Sequence, residues 1–326
     1  MLIESCSVPK YRKLSQPGDD VLLVLPGRLY AVFDGATDAT GLQLHGMSSG
    51  RFAASQAAQA MLAHVTSPDP AVRSPEQWLV QMNQAIAQGL QTAGTMSARV
   101  GSTAVVVEDA GGDDLRFLIV GDSGIRINGD ELVWLHKDVD LIFSAGRAAI
   151  FHLLQSRGLE GDALEMSTRQ WVSGGLDRVA SAVLSATDCE ALIQTTRRCC
   201  EARLQPDARA CLRDLLCAGI VCGQLGYANL LGHSLGYAVL DGSTTQGPDL
   251  LHFSRPKSSV RSIELFTDGY MSVPVGSRVG DWEAEFFRTE DKDFHKIGAF
   301  ASTKGSSSTQ FSDDRTVLTV QFPVSL

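Results

Sequence analysis

The sequence predicts an α+β fold, in which antiparallel strands and helices occupy separate stretches of chain instead of alternating. Three observations carry that reading. Apolar runs of strand length follow one another through Val21–Phe33, and again through Ser102–Trp134, with only tight turns between them. Two segments with helical spacing of apolar residues lie between these blocks. Several strand-like runs also stop abruptly at an aspartate beside a glycine, a pairing that lets the backbone turn sharply.

Taken in order, Val21–Leu25 and Leu29–Phe33 flank Pro26-Gly27 and read as a hairpin. Its closed ends bring Asp20 into the neighbourhood of Asp34. A loop over 36–49 then leads to a helix capped by Ser48 or Ser49, whose apolar stripe is Phe52, Ala53, Ala57, Ala60, Met61 and Val65. It stops before Ser67-Pro68-Asp69-Pro70. A second helix begins at Ser74-Pro75-Glu76, with serine as cap and proline in the first turn, and buries Trp78, Leu79, Met82, Ile86 and Leu90. Strands follow from Gly101 to Val107 and from Leu115 to Val120, then a hairpin turning at Asn128-Gly129.

From Asp138 to Gly226 the periodicity becomes helical, through Ile142, Ala149, Leu153 and Leu154, then Leu192, Ile193, Leu212, Leu215 and Leu216. The expected organisation is therefore one domain over 1–326 with a helical insertion at 138–226. Strands are expected to resume over Ser234–Gly242, where Asp241-Gly242 runs into a polar loop and reads as a plain turn. Lys304–Thr309, rich in glycine and serine, reads as flexible.

Composition narrows the function. With 44% hydrophobic and 20% charged residues, the composition is that of a globular protein, and 326 residues are enough for one large domain or two ordinary ones. A formal charge of -9 argues against a nucleic-acid partner and suits a protein that holds divalent cations. Met1–Lys10 lacks a basic stretch followed by a long apolar one, so no secretory signal is expected. The apolar runs, such as Val21–Leu25, fall far short of the ~18 residues a membrane span needs. A cytoplasmic, reducing location without membrane contact is the expectation. Six of the seven cysteines crowd into Cys189–Cys222 without a CxxC pair, so they read as reduced apolar filler in helices.

Four strand ends carry carboxylates: Phe33-Asp34-Gly35, Gly121-Asp122-Ser123, Thr267-Asp268-Gly269, and Asp313-Asp314 just before Arg315–Val320. Neighbouring strands would gather these acids at one rim, and clustered like charges need cations to persist. Together with Gly101-Ser102-Thr103-Ala104, and in this order, these motifs resemble the metal-dependent type 2C (PPM-type) serine/threonine protein phosphatases, in the manner of a divergent bacterial member.

That resemblance spans nearly the whole chain outside the helical middle. It implies a four-layer αββα sandwich of two antiparallel sheets flanked by helices, with two Mg²⁺ or Mn²⁺ ions at one end. It implies hydrolysis of phosphoserine or phosphothreonine in proteins by a water activated between those ions, with no covalent intermediate. Asp34 would bridge the ions, Gly35 would offer its carbonyl, and Asp268 and Asp313 would hold the second ion, making Asp34, Asp268 and Asp313 the catalytic set. Asp20, and less directly Asp19, would reach a cation through water, and Asp314 would stand one step behind the ligands. Asp122 would serve a third cation, whose site is incomplete because Tyr270-Met271-Ser272 offers no carboxylate. Arg12 or Lys13 lies near the position where relatives bind substrate phosphate.

The usual His-Gly-Gly after Asp-Gly is replaced here by Ala36-Thr37-Asp38, so the proton donor would be water, Asp38 or His45. The partner implied is a phosphorylated protein met by a monomeric signalling enzyme. Two alternatives stand beside this reading: a pseudophosphatase that only binds, and a phosphatase for small molecules.

Overall fold

The computed structural model describes residues 1–13, 16–36, 41–67 and 74–323. The strands and helices run β1 (Leu2–Val8), β2 (Val21–Leu25), β3 (Leu29–Gly35), β4 (Gln43–Leu44), β5 (Met47–Ser48), α1 (Ser49–Thr66), α2 (Pro75–Thr92), β6 (Ser102–Asp109), β7 (Asp114–Val120), β8 (Gly124–Ile127) and β9 (Glu131–Val133). They continue as α3 (Asp138–Ser156), α4 (Gly161–Val183), α5 (Ala186–Cys200), α6 (Pro206–Gly223), β10 (Leu250–Pro256), β11 (Ser262–Phe266), α7 (Val279–Lys292) and β12 (Arg315–Gln321). Two five-stranded antiparallel sheets result, in the orders β1-β12-β11-β8-β9 and β10-β7-β6-β3-β2.

Strand alternation sets the layers, because successive side chains point to opposite faces. Along β3, Leu29, Ala31 and Phe33 join Phe52, Met61, Trp78 and Ile86 of α1 and α2 in one core. Tyr30 and Val32 point the other way and meet Ile125, Ile263, Leu265 and Leu318 of the facing sheet. On the far side of that second sheet, Phe266 and Val317 pack against Trp282 and Phe286 of α7. The order is therefore helices, sheet, sheet, helix. Burying Trp282 and Phe286, both at most 1% exposed, contributes about 1.5–3 kcal/mol each and fixes α7 on its sheet.

Local chemistry explains the elements that the sequence announces. Ser48 caps α1 by accepting from the Arg51 amide at 3.3 Å. Ser74 precedes α2 with Pro75 in its first turn. Val21 pairs with Phe33 across the β2–β3 hairpin, which sets Asp20 beside Asp34. Asn128 and Gly129 both take positive φ, +57° and +83°, as the tight turn between β8 and β9 requires.

Helices α3 to α6 build a separate core from Ile142, Phe151, Trp171, Ile193, Leu212 and Leu215. Arg147 of α3 is fully buried, pairs with Glu165 of α4 at 2.6 Å and donates to the carbonyls of His295 and Lys296. The helical segment is thereby bolted to the chain that follows α7. Both α4 and α6 break at a glycine, Gly175 (φ +79°) and Gly219 (φ +74°), and the two breaks abut. A Cβ at Gly175 would lie 2.1 Å from the Cys217 carbonyl oxygen.

Two sequence expectations are corrected. Ser234–Gly242 is not a strand: only Leu240 and Tyr237 form isolated bridges, with Ser102 and Ala228. Its buried amides are satisfied by side chains instead, Ala238 by Asp249 (2.6 Å) and Val239 by Asn229 (3.0 Å). The missing strand is β10, an edge strand with mostly exposed alternate positions that pairs with β7. Lys304–Thr309 is packed, not loose: Ser306 is fully buried and bonded to Glu290, and the Gly305 amide donates to Glu165. All seven cysteines are free thiols. Among the described residues no helix is long and apolar enough to cross a membrane.

Candidate metal centre

The acids collect where the two sheets end. Asp34 follows Tyr30 and Val32 on the face that looks toward the second sheet, and Asp34 pairs in register with Thr103 of β6. The next residue must be small, because a Cβ on Gly35 would sit 2.5 Å from the Gly50 carbonyl carbon at the start of α1. Asp122 follows β7 through Gly121, whose φ of +78° turns the chain, and the Trp134 indole donates to the Asp122 carbonyl at 3.0 Å. Asp268 follows β11, where Gly269 leaves no room for a side chain beside the Asp314 carbonyl. Asp313 and Asp314 immediately precede β12.

Asp34, Asp122 and Asp268 each place a carboxylate oxygen within 4.8 Å of the other two, the spacing at which one cation can be shared. They open, with Gly35 and Asp313, onto a cavity of about 310 Å³. Burial raises the Asp34 carboxyl well above the usual range, and Asp20, Asp313 and Asp122 push it further. Burial likewise raises Asp268, reinforced by Asp34, Asp313 and Asp122. Such upward shifts mark carboxylates crowded together out of water.

Asp313 behaves differently. Burial would raise it, but Lys304 and Lys10 outweigh burial and hold it below the usual carboxylate range. Lys304 Nζ lies 2.7 Å from Asp313 Oδ2. Lys137 Nζ lies 2.8 Å from Asp122 Oδ2; burial would lower that ammonium, and Asp122 and Asp140 hold it well above its ordinary value.

Asp20 stands behind Asp34. Its Oδ2 accepts from the Thr267 hydroxyl at 2.8 Å, whereas its Oδ1 is buried with no hydrogen-bond partner. Burial first, then Asp314, pushes its carboxyl up to about 8. Asp314 and Asp19 both face buried Lys10, which contacts them at 3.3 and 3.4 Å, and the Asp19 amide donates to Asp314. Arg12 is not among the cavity residues: its guanidinium lies 4.0 Å from the Phe311 ring centre and bonds to the Ser307 carbonyl. Lys13 is exposed and also lies off the cavity. His45 stacks near Phe52 instead of lining it. Asp38 lies outside the described residues.

Three cations that sequence reasoning missed line this cavity: Lys137, Arg169 and Lys304. Arg169 belongs to α4, where it pairs with Glu165 at 3.0 Å. None of the three carries a motif. Lys137 and Lys304 lie 15 and nine residues from Asp122 and Asp313 in sequence, whereas Arg169 is brought in by the docking of α4.

No protein-family profile matches the chain, and no curated protein matches it. Among solved structures it is similar to the serine/threonine phosphatase Stp1 from Staphylococcus aureus, at 10% identity and a TM-score of 0.47, over 99% of this chain and 96% of that one. It is also similar to the catalytic domain of the serine threonine protein phosphatase PstP in complex with two manganese ions, at 14% identity, a TM-score of 0.45, and coverage of 97% and 96%. A third is the PPM Ser-Thr phosphatase MsPP from Mycobacterium smegmatis in complex with cacodylate, at 13% identity, a TM-score of 0.44, and 99% of each chain.

Proposed function

We propose that this chain is a metal-dependent phosphomonoester hydrolase that acts on phosphoserine or phosphothreonine in proteins. One observation carries the reading: Asp34, Asp122 and Asp268 converge from three separate strand ends to a spacing that a cation can bridge. Carboxylates held this close repel one another, and a bound cation relieves that repulsion.

The donor set fits a hard divalent ion. Every candidate ligand is a carboxylate or carbonyl oxygen, and no thiol or imidazole lines the cavity among the described residues, which suits Mg²⁺ or Mn²⁺. The unpartnered Asp20 Oδ1 supports the same fit, since it is a buried acceptor positioned beside Asp34 with nothing to accept from. Asp34, Asp122 and Asp268 would hold the ion, with the Gly35 carbonyl close by. When bound, divalent cations supply a nucleophilic water at neutral pH and offset the charge of a phosphoryl group.

The chain's own groups do the rest. Lys137 fixes Asp122 through one oxygen. Arg169 and Lys304 place positive charge on the cavity wall, where a phosphate dianion is attracted. The helical segment contributes Arg169, Val172, Ser173, Ile220, Val221 and Gln224 to the lining, which favours a second reading in which the substrate is a small phosphate ester enclosed by those helices.

Purified protein given p-nitrophenyl phosphate should turn it over only with Mn²⁺ or Mg²⁺, and Asp268→Asn should reduce the rate by at least about 10²–10³-fold. Turnover without metal, or an unchanged rate in that variant, would refute the proposal. Relative rates on phosphopeptides and on small phosphate esters separate the two substrate classes.

A further inference from the structure

Asp313 is the acid that the sequence resemblance assigns to a second cation, yet both of its oxygens are engaged. Oδ2 lies 2.7 Å from Lys304 Nζ, and Oδ1 accepts from the Asp314 amide at 3.1 Å. The trio of Asp34, Asp122 and Asp268 forms without it.

Lys304 does not reach this place on a loose arm. The Gly305 amide donates to Glu165 at 3.0 Å, and the Gly305 carbonyl accepts from Arg169. A Cβ at Gly305 would meet the Arg147 guanidinium and the His295 carbonyl, so that backbone is closely enclosed. Ser306, fully buried, donates to Glu290 at 2.8 Å, and the Ser302 amide donates to the Lys296 carbonyl. The chain on either side of Lys304 is thus tied to α3, α4 and the end of α7. Glu165, itself 1% exposed, joins Arg147, Arg169 and Gly305 at one point.

An ammonium is a compact point charge with three donors, and Lys304 directs it onto Asp313. A divalent ion at Asp313 would have to displace that ammonium from a backbone already held in position. We infer that Lys304 takes the place of a second cation, so that the centre seats one divalent ion at Asp34, Asp122 and Asp268 while the Lys304 ammonium supplies the other positive charge. The helical segment, through Glu165, positions that charge. This rests on the proposed metal-dependent phosphatase reading and narrows its metal content.

The test is the amount of Mn²⁺ bound, not activity. Titration calorimetry on the full chain should give one Mn²⁺ per chain. Paramagnetic resonance of the loaded protein should show the six-line signal of an isolated ion. Lys304→Ala and Lys304→Gln remove a partly exposed side chain and free Asp313; each should double the bound Mn²⁺ and introduce the broadening of two coupled ions. Wild-type protein that binds two coupled ions overturns the inference while leaving the phosphatase reading intact. Wild-type protein that binds none overturns both. Should the Lys304 variants fail to fold, the wild-type stoichiometry and line shape still decide.

Discussion

Asp34-Gly35 and Asp241-Gly242 are the same dipeptide at the end of an apolar run, and the fold uses them differently. At Asp241 the carboxylate folds back on its own turn, accepting from the Ser243 amide at 2.8 Å and the Ser243 hydroxyl at 2.6 Å. Gly242 is glycine because its φ is +92°, a conformation that L side chains rarely adopt. Asp34 instead has Asp122 and Asp268 for neighbours. Gly35 remains in extended strand and is glycine because the start of α1 lies directly against it. One glycine serves handedness and the other serves room. Gly242 too has α2 close by, at 3.3 Å from an added Cβ, but at Gly35 the contact is backbone at 2.5 Å, with the start of α1 packed over the strand end beside the acid.

The sharpest way to break that contrast is to remove the two carboxylates separately. Asp34→Asn should abolish Mn²⁺-dependent hydrolysis, by at least about 10²–10³-fold, while Asp241→Asn leaves the rate unchanged. Equal losses in the two variants would erase the distinction. Next in size, Gly35→Ala should cost about 1–3 kcal/mol through the clash with Gly50, read as a lowered denaturation midpoint. A variant as stable as wild type would mean that α1 can move away from the strand end.

The smallest effect is on pH dependence. Asp34 and Asp268 have folded-state pKa values raised above the ordinary 3.8. The metal-free folded state therefore binds more protons than the unfolded chain. Stability falls as pH rises above 3.8 toward those raised values, and a bound cation removes the penalty. Chelation should accordingly lower the melting temperature more at about pH 8 than at about pH 5. A chelator effect that is independent of pH would place the metal away from these acids.

Local chemistry made much of this legible in advance. The caps at Ser48 and Ser74, the turn at Asn128-Gly129 and the acids at strand ends are short-range signals, and the structure keeps them. What escaped depends on distant partners. Ser234–Gly242 carries strand-like alternation, but Asn229 and Asp249 take its amides before a neighbouring strand can. Helix α7 is the exception: Trp282 and Phe286, four residues apart, give it a clear apolar face among many charges, a local signal that the sequence reading passed over. Strand β1 pairs with β12, from the opposite end of the chain. The loop at Lys304 looked like a linker because glycine and serine suggest slack; it is ordered by Glu165, Arg147 and Ser306 contacts that no local pattern encodes.

The paired breaks at Gly175 and Gly219 bear on how such a cavity can be reshaped. Arg169, Val172 and Ser173 precede the first break, and Ile220, Val221 and Gln224 follow the second, so the helical side of the chamber hangs from a backbone-to-backbone crossing. Its span is set by two bare peptide segments that touch. Side chains at 173 and 221 can be exchanged to reshape the cavity wall, whereas Val172 and Ile220 also pack into the helical core and hold the frame together with the two glycines.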